Sequence, residues 1–214
     1  FISMVFPLTR RLVLGLVSLV ITLAVLVPSA AAIAPTNLPE QPPEVHLLDD
    51  ADVFSRASRS ELEKRLIKVG DGRIDARLVT VRRLDYGFSL RSFGEELLGR
   101  WSPANSSSPM LLLLIETQNK RAAVVADPTL TTQLPEALLT STGRATMAAP
   151  LRQGDRYRQA SVDGLNRLAT VLEGGEDPGP PEEIVRTTLP TNVPTKVETE
   201  ESDAFTWVIV LLVV

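Results

Sequence analysis

Apolar and polar positions fall into distinct rhythms along the chain, and the rhythm changes at turn residues. Val45 to Leu48 runs into Asp49-Asp50-Ala51-Asp52, which predicts a brief strand and an acidic turn. Leu62, Leu66 and Val69 then recur at helical spacing among Glu61, Glu63, Lys64, Arg65 and Lys68, so this helix has one apolar side. Ser55 or Ser58 can cap it, and Ser58 with Glu61 has the capping-box spacing. Gly70-Asp71-Gly72 closes it, because glycine accepts the left-handed conformation that ends helices. Ala76 to Val81 reads as a strand, and Gly87 with Ser89 opens a second helix carrying Leu90, Phe93, Leu97 and Leu98. Trp101 follows as a core or rim anchor; a partner-binding aromatic is the alternative.

Met110 to Ile115 is apolar at every position, the pattern of a strand covered on both sheet faces. Thr117-Gln118-Asn119-Lys120 turns the chain back into Arg121 to Ala126, which predicts a hairpin. A short helix around Gln133 to Leu139 and a longer one from about Arg156 to Leu172 complete the order β-α-β-α-β-β-α-α. The expected fold is α/β, a mixed β-sheet sandwiched by helices.

The flanks differ from this domain. Arg10 and Arg11 precede the apolar run Leu12 to Val27, and small residues Pro28 to Ala32 follow it, the order of an export signal. Residues 1–32 are expected to be that signal, cleaved near Ala32 or retained as an uncleaved anchor. Phe205 to Val214 is apolar apart from Thr206 and opens with the interfacial aromatics Phe205 and Trp207. It reads as the start of a C-terminal transmembrane helix cut short, since its length gives about 15 Å of helix, half a hydrocarbon core. A terminal strand or hydrophobic tail is the alternative. Between these ends, 33–43 is expected to be a Pro-rich linker, 44–174 the globular domain and 175–204 a flexible linker.

Charge and composition narrow the chemistry. With 22 Lys+Arg against 26 Asp+Glu, the chain has a formal net charge of −4, so no nucleic-acid partner is expected. It has no cysteine for a disulfide or a thiolate. HExxH, P-loop and GxSxG patterns are missing, so no catalytic residue is assigned and an enzymatic role is not the leading expectation. The lone His46 reads as a polar edge residue. Asp49, Asp50 and Asp52 form the strongest acidic group, and Asp127 stands where a strand end presents a carboxylate to a cleft. Together they are the candidate ligands of Ca²⁺ or another divalent cation. Equally, Asp52 can accept N–H bonds around its turn, and Asp127-Pro128 can simply end a strand. Asp155 is a further candidate for the Asp127 surface. Arg152, Arg156 and Arg158 make a basic patch that could contact an anion or pair with the domain's own acidic surface.

Taken in order, Leu48-Asp49-Asp50-Ala51-Asp52-Val53-Phe54-Ser55, Leu78 to Val81, Phe93 through Trp101, Met110 to Leu114, Arg121 to Val125 and the Tyr157 helix resemble the TPM domain family. The resemblance covers about Val45 to Leu172 and is greatest to the photosystem II repair members of cyanobacteria and other oxygenic phototrophs. It implies the mixed α/β fold and a lumenal domain held at the thylakoid membrane by the C-terminal anchor. It also implies an auxiliary role in photosystem II repair or assembly and protection from photodamage, with photosystem II subunits or assembly intermediates as partners. The alternatives are a weak divalent-cation-dependent acid phosphatase and a general membrane-tethered adaptor. Asp49, Asp50 and Asp52 match the family's acidic motif. Where the family often has glycine after the second hairpin strand, this chain has Ala126-Asp127-Pro128, so Asp127 is a candidate by topology alone.

Overall fold

The computed structural model describes residues 32–102 and 108–181 of the 214-residue chain. Four strands lie side by side in chain order: β1 Leu47–Asp49, β2 Asp75–Val81, β3 Met110–Glu116 and β4 Arg121–Ala126. The first three are parallel and β4 runs antiparallel to β3. Asp49 stands beside Thr80 and Thr80 beside Ile115, so the C-terminal ends of the parallel strands meet at one end of the sheet. The helices are α1 Arg56–Lys68, α2 Leu90–Trp101, α3 Glu136–Ser141, α4 Ala148–Gly154 and α5 Tyr157–Leu172. This is the expected α/β architecture, a mixed sheet flanked by helices.

β3 explains why the sheet must be covered twice. Leu111, Leu113 and Ile115 join Leu62 and Leu66 of α1 and Leu165 and Leu168 of α5 on one face. Met110, Leu112 and Leu114 meet Phe93, Leu97 and Trp101 of α2 on the other. Each such leucine contributes roughly 2 kcal/mol by leaving water, so the unbroken apolar run is stable only between two helical layers. Ser55, rather than Ser58, caps α1; its Oγ accepts the Ser58 N–H at 3.1 Å.

Three stretches depart from the sequence-based expectations. The short helix near residue 136 continues to Gly154, because the π-helical segment Thr142–Met147 joins α3 to α4. Ala148 N–H reaches back to the Gly143 carbonyl, the five-residue span of a π turn, and Pro150 follows in α4. The stretch 33–43 packs onto the domain instead of running free: Leu38 is buried, Ile33 bridges Leu84, and the Trp101 indole N–H donates to the Pro39 carbonyl at 2.9 Å. Beyond residue 174, Asp177 is held by a paired contact to buried Arg167, 2.7 Å at each carboxylate oxygen.

The membrane-spanning expectation requires correction. Among the described residues no helix is long and apolar enough to cross a membrane. The longest, α5, has 16 residues and carries Arg158, Asp163 and Arg167, against the roughly 20 apolar residues a span requires. A thylakoid-membrane placement through a C-terminal transmembrane helix, with the domain on the lumenal side, is therefore withdrawn. The expected signal up to residue 31 and the stretch 205–214 lie outside the described residues.

Candidate functional site

The acidic turn is built from β1, the start of α1 and the end of β2. Asp49 closes β1 with its side chain only 3% exposed. Its Oδ1 accepts the Val53 N–H at 3.1 Å and the Thr80 hydroxyl at 2.6 Å. Its Oδ2 accepts the Phe54 N–H at 3.0 Å and faces the Arg59 guanidinium at 2.9 Å. The carboxylate thus ties the strand end to the following helix. Asp52, in the left-handed conformation at φ 54°, is exposed and pairs with the same Arg59. Asp50 is exposed on the turn between them.

Asp127 lies elsewhere. Its N–H donates to the Met110 carbonyl at 2.8 Å, which places it at the beginning of β3, whereas Asp49 is level with the end of that strand. Five residues of β3 separate the two levels, about 16 Å. Asp127 accepts the Thr129 N–H at 2.9 Å, the Thr129 hydroxyl at 2.7 Å and the Ser102 hydroxyl at 3.2 Å. The Thr129 backbone bond foremost, then the two hydroxyls, hold its carboxyl below the usual carboxylate range. The four candidate carboxylates consequently do not face one cation, and among the described residues no cluster of three or more His, Cys, Asp or Glu side chains could hold a metal ion.

The remaining candidates also separate. Asp155 sits at the hairpin end of the sheet, away from Asp127, where Lys120 pairs with it at 3.1 Å and the Tyr157 hydroxyl donates to it at 3.1 Å. Lys120 is the main reason its carboxyl is lowered. Arg158 makes two 2.8 Å bonds to Glu61 of α1, and Arg156 contacts Gln153. Arg152 leaves this patch and lines a cavity of about 470 Å³ with Arg91, Arg121 and Arg144. His46 lies between Glu63, 3.0 Å from Nδ1, and Asp75, 3.6 Å from Nε2, at the start of β1. Trp101 is a core anchor, 1% exposed.

Three buried charged groups, Arg77, Glu116 and Arg167, escaped the sequence reading, and Arg77 of β2 donates to Asp75 at 3.0 Å and to the Pro43 carbonyl at 2.6 Å. Glu116, 1% exposed at the end of β3, accepts from Arg121 at 2.8 Å and from the Asn119 amide at 2.8 Å. Arg167 donates to Ser141 and Thr146 as well as to Asp177, fastening the π-helical segment to α5. Their sequence signal was a charge adjoining an apolar run, which many solvated positions share.

Over residues 47–171 the chain matches the TPM domain. It belongs to the TPM domain family. Chloroplastic UPF0603 proteins of Oryza sativa subsp. indica and Oryza sativa subsp. japonica are each 29% identical over 163 residues, covering 75% of this chain and 54% of theirs. A chloroplastic UPF0603 protein of Arabidopsis thaliana is 29% identical over 164 residues, 56% of its length. The chain thus spans about half the length of the curated relatives it matches. The solution NMR structure of the N-terminal domain of a P. gingivalis protein superposes with a TM-score of 0.56 at 21% identity, over 67% of this chain and 94% of that one, a likeness of fold. The relatives' names reach the chloroplast and mention neither a photosystem nor a thylakoid. The thylakoid and transmembrane part of the expectation is accordingly corrected to a TPM-domain protein with chloroplastic relatives.

Proposed function

We propose that this TPM domain is an auxiliary factor that acts by binding other proteins, and that photosystem II subunits or assembly intermediates undergoing repair are its partners. The observation that carries the non-catalytic reading is the commitment of the acidic side chains. Asp49 spends both oxygens on its own turn, Asp127 caps a turn at the other end of the sheet, and Asp155 is paired with Lys120. A cation-dependent phosphatase needs carboxylates converging on one open cation position, and this arrangement separates them. The chloroplastic relatives support a photosynthetic setting, and the family resemblance supplies the photosystem as the partner.

Affinity capture tests the reading. The full chain is used as bait on gently solubilised membranes of a light-stressed phototroph, with quantitative mass spectrometry of retained proteins. Selective enrichment of photosystem II subunits over an unrelated bait is expected; enrichment equal to the control overturns the partner assignment. Hydrolysis of p-nitrophenyl phosphate that requires a divalent cation and disappears in Asp49→Asn, with the fold retained, would replace this reading with the phosphatase.

A further inference from the structure

The cavity of about 470 Å³ beside β4 has the size of a small-molecule site. Its charged lining is of one sign: Arg91, Arg121, Arg144 and Arg152, with no carboxylate among the lining residues. Two of these four are satisfied from outside the lining. Arg91 is held by Glu95 and Glu136, and Arg121 reaches Glu116 at 2.6 Å. Arg144 and Arg152 are exposed, and among the described residues their side chains have neither an ion pair nor a hydrogen bond. In a chain of formal net charge −4, two uncompensated guanidiniums on one cleft stand apart from the rest of the molecule.

The spacing of the free pair says what fits between them. Gly143 brings the helical stretch from α3 to α4 against β4: a Cβ there would lie 2.8 Å from the Ala123 Cα. Arg144, Ala148 and Arg152 follow at four-residue intervals and line the same cleft, so they share one side of that stretch. The two arginines stand about two helical turns apart, roughly 11 Å along the axis, with only the methyl group of Ala148 between them. Leu90 and Val124 join Ala148 in the lining, which is therefore apolar between its cationic ends. The first turn of α2, the positive end of that helix, closes the far bank. A small inorganic anion would satisfy the guanidiniums and leave the apolar floor unused. An apolar body with an anionic group at each end uses both.

We propose that this cleft binds a small organic dicarboxylate, its apolar body against Leu90, Val124 and Ala148 and its carboxylates on Arg144 and Arg152. Each guanidinium offers a carboxylate two parallel N–H donors, and Arg121 adds to the positive field. The site goes beyond the protein-binding role proposed above. Failure of the titration below leaves that role untouched, and failure to capture photosystem II subunits leaves the cleft untouched.

The test titrates the full chain at low salt with terephthalate, a rigid dicarboxylate, and adipate, a flexible one, read by amide chemical shifts in NMR. Saturable shifts are expected for at least one of them, concentrated at Leu90, Val124, Arg144, Ala148 and Arg152. The double variant Arg144→Gln, Arg152→Gln removes no polar contact of the domain and should keep its thermal midpoint, yet weaken binding on the order of tenfold or more. Arg82→Gln with Arg83→Gln, two exposed arginines outside the lining, should leave binding unchanged. Benzoate, with one carboxylate on the same ring, should bind on the order of tenfold more weakly than terephthalate. Failure of both dicarboxylates to saturate overturns the proposal, as does wild-type affinity in the Arg144, Arg152 variant. Equal weakening by the Arg82, Arg83 variant overturns it too, since the attraction is then general. Binding of benzoate or inorganic phosphate as tight as that of the dicarboxylates reduces the cleft to a single-anion site and also overturns it.

Discussion

Asp49 holds two backbone N–H groups, a buried hydroxyl and a guanidinium, so replacing it strands several donors at once. Asp49→Ala is expected to lower the unfolding free energy by about 2–4 kcal/mol in urea titrations, while Asp50→Ala on the same turn stays within about 0.5 kcal/mol. Equal effects at the two positions would contradict the division of labour within the turn. The depressed carboxyls set an acid limb. Asp177 is lowered chiefly by Arg167, and Asp127 chiefly by the Thr129 backbone. A group whose folded pKa is depressed adds stability that is complete above its unfolded value near pH 4 and is lost as pH falls through the lower folded value. The stability gap between the wild-type chain and Asp177→Asn should thus be constant from neutrality to about pH 5 and close below about pH 4. Acid titration of the denaturation midpoint reads this directly. That these residues are acidic was plain in the sequence; which donors surround each one was not, because Thr80 and Arg59 reach Asp49 from separate elements.

At the scale of elements, two glycines in helical stretches make opposite predictions. Gly143 lies where the π-helical segment meets β4, and the missing Cβ sets that approach. Gly143→Ala should cost about 1–3 kcal/mol, since the nearest atoms are backbone and cannot rotate aside. Gly99 lies in α2 with nothing within 4 Å of its would-be Cβ, so Gly99→Ala should stabilise by about 0.5–1 kcal/mol. Thermal denaturation of the two variants checks both signs. The strands, α1, α2 and α5 were legible because their apolar periods are long or unbroken. The sequence reading gave this helix only around Gln133 to Leu139, and its continuation holds Gly143 and Pro150, which ordinarily stop a helix. A π-helical register change and close packing on β4 override both, and neither has a local signature.

At the scale of the whole molecule, the stretch before β1 seals the α2 face of the sheet. A chain beginning at Glu44 loses the burial of Leu38 and the Pro39 acceptor of Trp101, and should be about 3 kcal/mol less stable than one beginning at Ala32. Unchanged denaturant midpoints would mean that 33–43 is a linker after all. Local pattern alone determined the fold class, because β3 must be covered on both faces and the flanking helices carry single apolar sides. It also determined the family resemblance, through the order of the acidic turn, the strands and Trp101. Only the tertiary structure decided that Asp49 and Asp127 lie at opposite ends of the sheet. It likewise gathered Arg91, Arg121, Arg144 and Arg152 around the β4 edge from three separate stretches of chain. Periodicity reports which side of an element is buried; distances between elements follow from register and helix crossing, which short-range sequence does not encode.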